Sequence, residues 1–152
     1  MKMMRIVIAM AIALTASAAV SCDKPQNEEE VYLEVNAHTL SGKWQLVEWN
    51  GNALENGTYV YLDIVRNDRT YTMYQNIDSF MNLPHVVTGS YYIENDPEFG
   101  AVIRGNYDHD SGDWVHRYII TGLTATEMYW TAKDDMTYVQ KYERVESFVS
   151  LQ

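Results

Sequence analysis

A cluster of acidic residues is the first feature of this sequence that could do chemistry. The stretch DHDSGD, residues 108–113, places Asp108, Asp110 and Asp113 beside His109. Alternating carboxylates are typical of a calcium-binding loop, but such a loop has about twelve residues and closes with a bidentate glutamate, and this stretch has neither feature. Asp, Ser and Gly are also the residues that a hairpin turn requires. We therefore expect a turn here, with a cation site as the alternative.

The other reactive side chains form no catalytic or metal-binding motif. The four histidines lack the spacing of a zinc site, and the sequence has no G-x-S-x-G nucleophile motif. Three carboxylates, Glu48, Asp63 and Glu127, lie in strand-like segments and would be candidates for acid–base chemistry if they pointed inward. Such residues more often face solvent. The sequence predicts no enzyme activity, no metal and no cofactor.

The single cysteine, Cys22, lies where an apolar segment ends and an acidic one begins. The chain opens with the basic stretch MKMMR, followed by an uncharged apolar run over residues 6–20. This run is shorter than the roughly 20 residues that a membrane span needs, which is typical of a secretory signal. We expect residues 1–21 to be removed as a signal peptide.

The residues before Cys22 resemble the lipobox of bacterial lipoproteins, in which small residues precede a cysteine that is acylated and becomes the first residue of the mature chain. Ala19, Val20 and Ser21 fill these positions, with Ala19 in place of the usual leucine. The resemblance implies attachment of lipid, palmitate included, at Cys22, and several acyl chains anchor a protein stably. The alternatives are a free thiol, which an oxidising compartment disfavours, and cleavage at another small residue.

The segment after Cys22 is polar and acidic. Residues 22–37 include three consecutive glutamates at 28–30, which favours a flexible tether. The acidic cluster also resembles the export signal of surface lipoproteins in gut-type anaerobic bacteria, although a linker can be acidic simply for solvation. We expect attachment to the bacterial outer membrane, at its periplasmic or its outer face, with the outer face favoured.

The overall charge restricts the partners of the protein. The formal net charge is −10, and no stripe of Lys and Arg is present. Nucleic acid is excluded as a partner, because binding to phosphates requires such a stripe.

The rest of the chain consists of short aromatic and β-branched segments separated by turn residues. The eight candidate strands are GKWQLVEW (residues 42–49), YVYLDIV (59–65), TYTMYQ (70–75), VVTGSYYIE (86–94), AVIRGNY (101–107), DWVHRYIIT (113–121), TEMYWTA (126–132) and TYVQKYERV (137–145). Their short connections require antiparallel neighbours. An all-β, eight-stranded antiparallel up-and-down barrel over residues 38–147 removes exposed edges, with a β-sandwich as the alternative and residues 148–152 as a tail.

Several segments resemble the lipocalin-like lipoproteins of gut bacteria: LSGKWQLVEWNG, GSYYI, YIITGLTATEMYW and YVQKYERV. The resemblance implies a calycin-type barrel in which Trp44 closes one end. It also implies that Arg144 lies across the Trp44 indole in a cation–π contact, and that Gly42 allows the backbone to approach closely. The T-D-Y-type motif of classical transport lipocalins is absent.

A barrel of eight strands either holds one small ligand or is filled by its own side chains. The residues expected to point inward are mostly large, so both states remain open; they are Trp44, Leu46, Val60, Leu62, Ile64, Met73, Tyr91, Ile93, Ile103, Ile119, Met128 and Trp130. The segment 76–85 has no strand period and fits a short helix or a gate at the barrel mouth. The candidate ligand-binding residues are Phe80, Met81, Leu83, Tyr91, Met128 and Trp130.

These observations lead to three hypotheses about function. The first is a monomeric, lipid-anchored barrel that binds a small apolar or amphipathic molecule at the cell envelope. The second is a solid barrel that binds glycans or proteins through surface tyrosines, and the third is an enzyme acting on an amphiphile. An open cavity with an apolar lining would favour the first over the second.

Overall fold

The computed structural model describes residues 29–77, 80–109 and 111–149, with Phe80 described by its backbone alone. The expected signal peptide, Cys22 and Asp110 lie outside these residues. Within them, no helix is long and apolar enough to span a membrane.

The described chain is built almost entirely of strands. A short helix, α1 (Ala37–Leu40), precedes nine strands: β1 (Gly42–Trp49), β2 (Asn52–Ala53), β3 (Val60–Val65), β4 (Thr70–Gln75), β5 (His85–Asp96), β6 (Gly100–Tyr107), β7 (Tyr118–Thr121), β8 (Glu127–Ala132) and β9 (Asp135–Val145). A 3₁₀ turn, Phe80–Asn82, lies between β4 and β5. The eight strands expected from the sequence are all present, and β2 is an additional two-residue strand beside β1.

β1 pairs with β3, the strands from β3 to β9 pair in chain order, all these pairs are antiparallel, and β1 also pairs with β9. This last pairing closes the eight long strands into a barrel, which confirms the predicted fold over the β-sandwich. Trp44 on β1 pairs with Leu62 of β3 on one side. On the other side, across the closure, it pairs with Arg144 of β9.

One end of the barrel is closed by α1 and the Trp44 side chain. The Asn36 side chain accepts hydrogen bonds from the backbone N–H groups of His38 and Thr39, which caps the helix. The buried Trp44 indole donates to the Leu40 carbonyl at 2.8 Å, so the end of α1 is tied to the first strand.

The interior near the closed end is filled by apolar side chains, among them Leu46, Leu62 and Ile103, all nearly inaccessible to solvent. The prediction for Ile119 was wrong: it pairs with Thr131 on the other face of the sheet, and Ile120 packs in the core. Successive strand residues point to opposite faces, so an error of one residue in a four-residue strand such as β7 reverses every side chain.

The packed structure extends past both expected domain boundaries. The backbone N–H of Leu33 donates to the carbonyl of Leu123 at 2.8 Å, and Leu33 and Val35 pack against the core. After β9, Phe148 is buried and stacks on Tyr61 with 4.8 Å between ring centroids. Residues 33–37 and Phe148 therefore pack with the barrel, although the sequence assigned them to a tether and a tail.

Candidate functional site

A cavity of about 690 Å³ lies at the end of the barrel opposite Trp44. Its wall comes from the strand ends that face away from α1, including Trp49 at the end of β1, Val60 at the start of β3 and Gln75 at the end of β4. Tyr107 at the end of β6 completes this ring of strand ends. The cavity is therefore the mouth of the barrel.

The floor of the cavity combines large rings with two amides. Trp130 and Tyr142 are each 1% exposed, and their ring centroids are 5.1 Å apart. The Tyr142 hydroxyl donates to Oε1 of Gln140 at 3.2 Å, and Nε2 of Gln75 lies 3.2 Å from Nε2 of His85. A ligand would therefore meet mainly apolar surface at this depth, with amide and hydroxyl groups available for a few polar contacts.

Aromatic rings continue from the floor up one wall. Tyr118 lies 5.4 Å from Trp130 and 6.2 Å from Tyr138, measured between ring centroids. Tyr138 in turn lies 5.1 Å from Trp49 and 5.0 Å from the His116 ring. We call these five residues, Trp49, His116, Tyr118, Trp130 and Tyr138, the aromatic wall.

Trp114 enters the barrel from a loop, and the sequence prediction of a strand over residues 113–121 was wrong in its first part. β7 begins at Tyr118, and before it Asp113 forms an isolated bridge with Asn106. The backbone N–H of Trp114 donates to the carbonyl of Gly105 at 2.8 Å. The loop therefore folds back on the end of β6 and brings an indole into the mouth.

Two glycines make room for this indole and its partner. A Cβ at Gly105 would lie 2.4 Å from the Trp114 ring, and a Cβ at Gly89 would lie 2.8 Å from the Tyr71 hydroxyl. The Trp114 Nε1 donates to the Tyr71 hydroxyl at 2.8 Å, and Tyr71 donates to the carbonyl of Asn106. The Trp114 ring, which lies 6.3 Å from Tyr118 and 6.0 Å from Trp130 between centroids, is thus held beside the aromatic wall by its hydrogen bond to Tyr71.

The tyrosines of the cavity stay protonated at neutral pH. Burial raises the pKa of Tyr118 and Tyr138, and it raises that of Tyr142 well above the ordinary value. Burial is also the largest cause that raises the pKa of Tyr71, to about 12. These hydroxyls are therefore neutral hydrogen-bonding groups over the physiological range.

The rim combines polar residues with two exposed apolar ones, Val86 and Val115. Asp108, His109 and His116 line it, and Nδ1 of His116 lies 2.8 Å from the Asp134 carboxylate. Among the residues that the structure describes, no group of three or more His, Cys, Asp or Glu side chains is arranged to hold a metal ion. Asp110, one of the three aspartates singled out in the sequence, lies outside the described residues.

The five candidate ligand-binding residues whose side chains are described do not come together in the cavity. Trp130 lines the cavity. Met128 lies behind it and accepts the Trp130 indole N–H on sulfur, and Tyr91 is buried in the core, where its hydroxyl donates to the Val65 carbonyl. Neither Met128 nor Tyr91 is among the lining residues. Met81 and Leu83 are exposed and are not among them either.

Met81 and Leu83 belong to the connection between β4 and β5, at the mouth end of the barrel. The residues that flank this connection, Ile77 and Val86, do line the cavity. The side chain of Phe80, the third apolar residue singled out in this segment, is outside the described part of the chain.

Sequence reasoning missed most of the lining residues. The signal that could have found three of them is the alternation Tyr138, Gln140, Tyr142, which places all three on the same face of β9 as expected for a strand. Gln140 was the least expected lining residue. The residue type alone does not show whether a glutamine side chain points into a barrel or faces solvent.

Two of the three strand carboxylates are paired on the outer face. Asp63 lies 3.7 Å from Lys43, and Glu127 lies 3.1 Å from Lys141. Glu48 is not a lining residue.

The comparison with protein families agrees with this geometry. A family model described as a lipocalin-like domain matches residues 40–130. The chain belongs to the lipocalin-like family. The match spans β1 through most of β8, and the structure adds β9, whose pairing with β1 completes the lipocalin-like barrel. Comparison with curated proteins and with solved structures finds no match.

Proposed function

We propose that this lipocalin-like protein binds a small apolar or amphipathic molecule in the mouth of its barrel, and that it does so while anchored by lipid to the bacterial envelope. The open cavity carries the first part of the proposal. Its volume of about 690 Å³ lies within the range of roughly 300–1,000 Å³ typical of ligand sites. Its lining of rings with a few amides and hydroxyls is the usual composition of such sites.

The cavity favours ligand binding over a solid barrel that acts through its surface. The barrel interior is filled by side chains near Trp44 but holds an open cavity beyond Trp130. The barrel is therefore not solid throughout. On the outer face, the stacked pair Tyr59 and Tyr61 is buried with Phe148 packed against it. These two tyrosines are therefore unsuited to stacking on a saccharide.

We further propose a binding role without catalysis. The carboxylates Asp63 and Glu127, which were candidates for acid–base chemistry, lie with lysines on the outside of the barrel. The lining residues combine rings and amides, and the carboxylate among them, Asp108, is at the exposed rim.

Ligand binding can be tested with a neutral fluorescent apolar dye such as N-phenyl-1-naphthylamine, titrated into the mature chain. Val87 lines the cavity, so Val87→Trp should fill it and weaken dye binding by at least about tenfold. Thr72→Trp places the same side chain on the neighbouring strand β4, where Thr72 pairs with Asp63 on the outer face and is not itself a lining residue, and should leave binding unchanged. Equal binding by both variants would place the dye elsewhere and contradict the proposal.

The anchor is supported by the sequence around Cys22 and by the acidic residues that follow it. Replacement Cys22→Ser should abolish labelling by palmitate, globomycin-sensitive processing and recovery in the membrane fraction. Ser21→Ala keeps a small residue before the cysteine and should retain all three. A Cys22→Ser protein that is processed normally and stays with the membrane would refute the anchor.

The location at the outer membrane, with its outer face favoured, is part of the same proposal. Protease added to intact cells should remove the barrel if it is displayed on the outside. Survival of the barrel in intact cells and loss after permeabilisation would place it on the periplasmic side.

A further inference from the structure

With histidine counted as neutral, the described residues that line the cavity carry negative formal charge and no positive formal charge. Among the described residues that line it, Asp108 contributes a carboxylate at the rim and no residue is a lysine or an arginine. A second carboxylate, Asp134, lies beside the rim residue His116. A ligand carboxylate entering this cavity would find no cationic partner and would lose hydration, which is unfavourable.

The field of these carboxylates reaches two tyrosines, Tyr118 in the lining and Tyr71 behind the Trp114 indole. Besides burial, which is the largest cause, Asp108 raises the pKa of Tyr71 and Asp134 raises the pKa of Tyr118. The contributions of Asp108 and Asp134 have the sign of a negative potential at the hydroxyls, whereas burial by itself disfavours a charge of either sign. The net charge of −10 acts in the same direction over longer distances.

The aromatic wall supplies the second half of the argument. Its rings are tilted relative to one another, by 36° for Tyr118 and Trp130 and by 40° for Tyr118 and Tyr138. All five residues of the aromatic wall line the cavity, and an aromatic face within reach of an organic cation attracts it. A desolvated ammonium group gains from such faces, whereas a carboxylate is repelled by them.

We infer that the cavity prefers a ligand that carries an organic ammonium group on an apolar body over neutral and anionic ligands of the same size. This inference rests on the proposed function, since it names the chemical class that the proposed site selects. The aromatic wall would contact the ammonium group, and the carboxylates at the rim would stabilise its charge.

The experiment compares three probes with the same ten-carbon chain: decyltrimethylammonium, 1-decanol and decanoate. Each is titrated into the mature chain below its micelle concentration, by calorimetry and by tryptophan fluorescence. A pH of about 8 keeps unperturbed histidine neutral. Salt at about 0.15 M shortens the Debye length to roughly 8 Å and suppresses general attraction to an acidic surface.

The expected order is the ammonium probe first, the alcohol second and the carboxylate last. The ammonium probe should bind at least about tenfold more tightly than decanoate. A decanoate affinity equal to or higher than that of the ammonium probe would overturn the inference and leave the proposed function standing. If none of the three probes binds, the proposed function fails as well.

Two pairs of variants locate the charge selectivity. Asp108→Asn should weaken the ammonium probe by about two- to fivefold and leave decanol unchanged, because an exposed charge contributes modestly. Asp68→Asn removes the same charge from the exposed turn between β3 and β4, at the closed end, and should change neither. If the two variants weaken the ammonium probe equally, the probe is responding to the total charge of the protein, and the inference fails.

Tyr138→Phe keeps the ring and Tyr138→Leu removes it. The Phe variant should retain the preference for the ammonium probe, and the Leu variant should lose most of it while still binding decanol. Binding of decanol in the Leu variant shows that the fold is intact. An unchanged preference in Tyr138→Leu would show that the aromatic wall does not contact the cation.

Discussion

The guanidinium carbon of Arg144, on the last strand of the barrel, lies 4.1 Å from the ring centroid of Trp44, on the first. The same guanidinium donates three hydrogen bonds to backbone carbonyls, those of Ser41, Thr39 and Ala125. One side chain therefore joins the segment before β1, the turn before β8 and the closure of the barrel. This is the contact that the lipocalin resemblance implied.

Removing this side chain should destabilise the barrel without affecting the ligand site at the other end. We expect Arg144→Leu to lower the free energy of unfolding by about 2–4 kcal/mol, from the lost cation–π contact and the carbonyls left without a donor. Arg144→Lys should recover only a small part, because an ammonium group lacks the planar fork. Urea denaturation measures the free energy of unfolding of both variants. An Arg144→Lys protein as stable as the parent would show that a positive charge alone accounts for the stabilisation.

Gly42 should be intolerant of a side chain for two separable reasons. Its φ is +124°, and a Cβ there would lie 2.6 Å from Nη1 of Arg144. Gly57 also has a positive φ, of +84°, but a Cβ there would meet nothing within 4 Å. We expect Gly57→Ala to cost about 1 kcal/mol and Gly42→Ala about 2–3 kcal/mol.

Chemical denaturation of the two glycine variants gives the comparison directly. The excess for Gly42→Ala measures the displacement of Arg144. Equal losses of stability in the two variants would mean that the guanidinium moves aside without cost.

Gly105 should control the position of the Trp114 indole in the mouth. Because a Cβ at Gly105 would overlap the indole, we expect Gly105→Ala to displace Trp114 into solvent and to shift its fluorescence emission to longer wavelength. The difference spectrum between each protein and its Trp114→Phe derivative isolates this signal. Gly112→Ala, in the same loop with open space around it but a φ of +87°, controls for backbone strain without a clash. An unchanged difference spectrum in Gly105→Ala would show that the strand adjusts instead.

The buried tyrosines should make the barrel sensitive to alkali. Burial raises the folded-state pKa of Tyr118 and Tyr142 above the ordinary value of 10.0, so the folded state holds protons that the unfolded chain has released. The stabilisation is therefore complete below about pH 10 and is lost as the pH rises further. Urea denaturation from pH 8 to 11 should show this loss, together with delayed phenolate absorbance in the folded protein. Titration of every tyrosine near its ordinary pKa would contradict it.

The barrel could be predicted because its evidence is local. Apolar residues at every second position, such as Val60, Leu62 and Ile64, predict both a strand and its buried face. The short turns between strands predict antiparallel pairing. The strand β4 was predicted with its true bounds, Thr70–Gln75, for the same reason.

The mouth could not be predicted, since it depends on contacts between residues distant in the chain. Trp114 lies in the barrel because Gly105 and Gly89 leave space for it and for Tyr71, and an absent side chain gives no signal in a pattern of strand residues. The error at Ile119 has a related origin, because a strand of four residues is too short for its alternation to fix which face is buried.

The pairing of β1 with β9 also dictates an order of events during folding. Gln45 has Glu143 as its partner across the closure, so the first strand cannot complete its hydrogen bonds until the last has been made. Until then the β1 edge and the apolar interior stay open to other chains. The barrel can therefore close only after β9 has been synthesised, so a nascent chain keeps the β1 edge unpaired until its last strand is made.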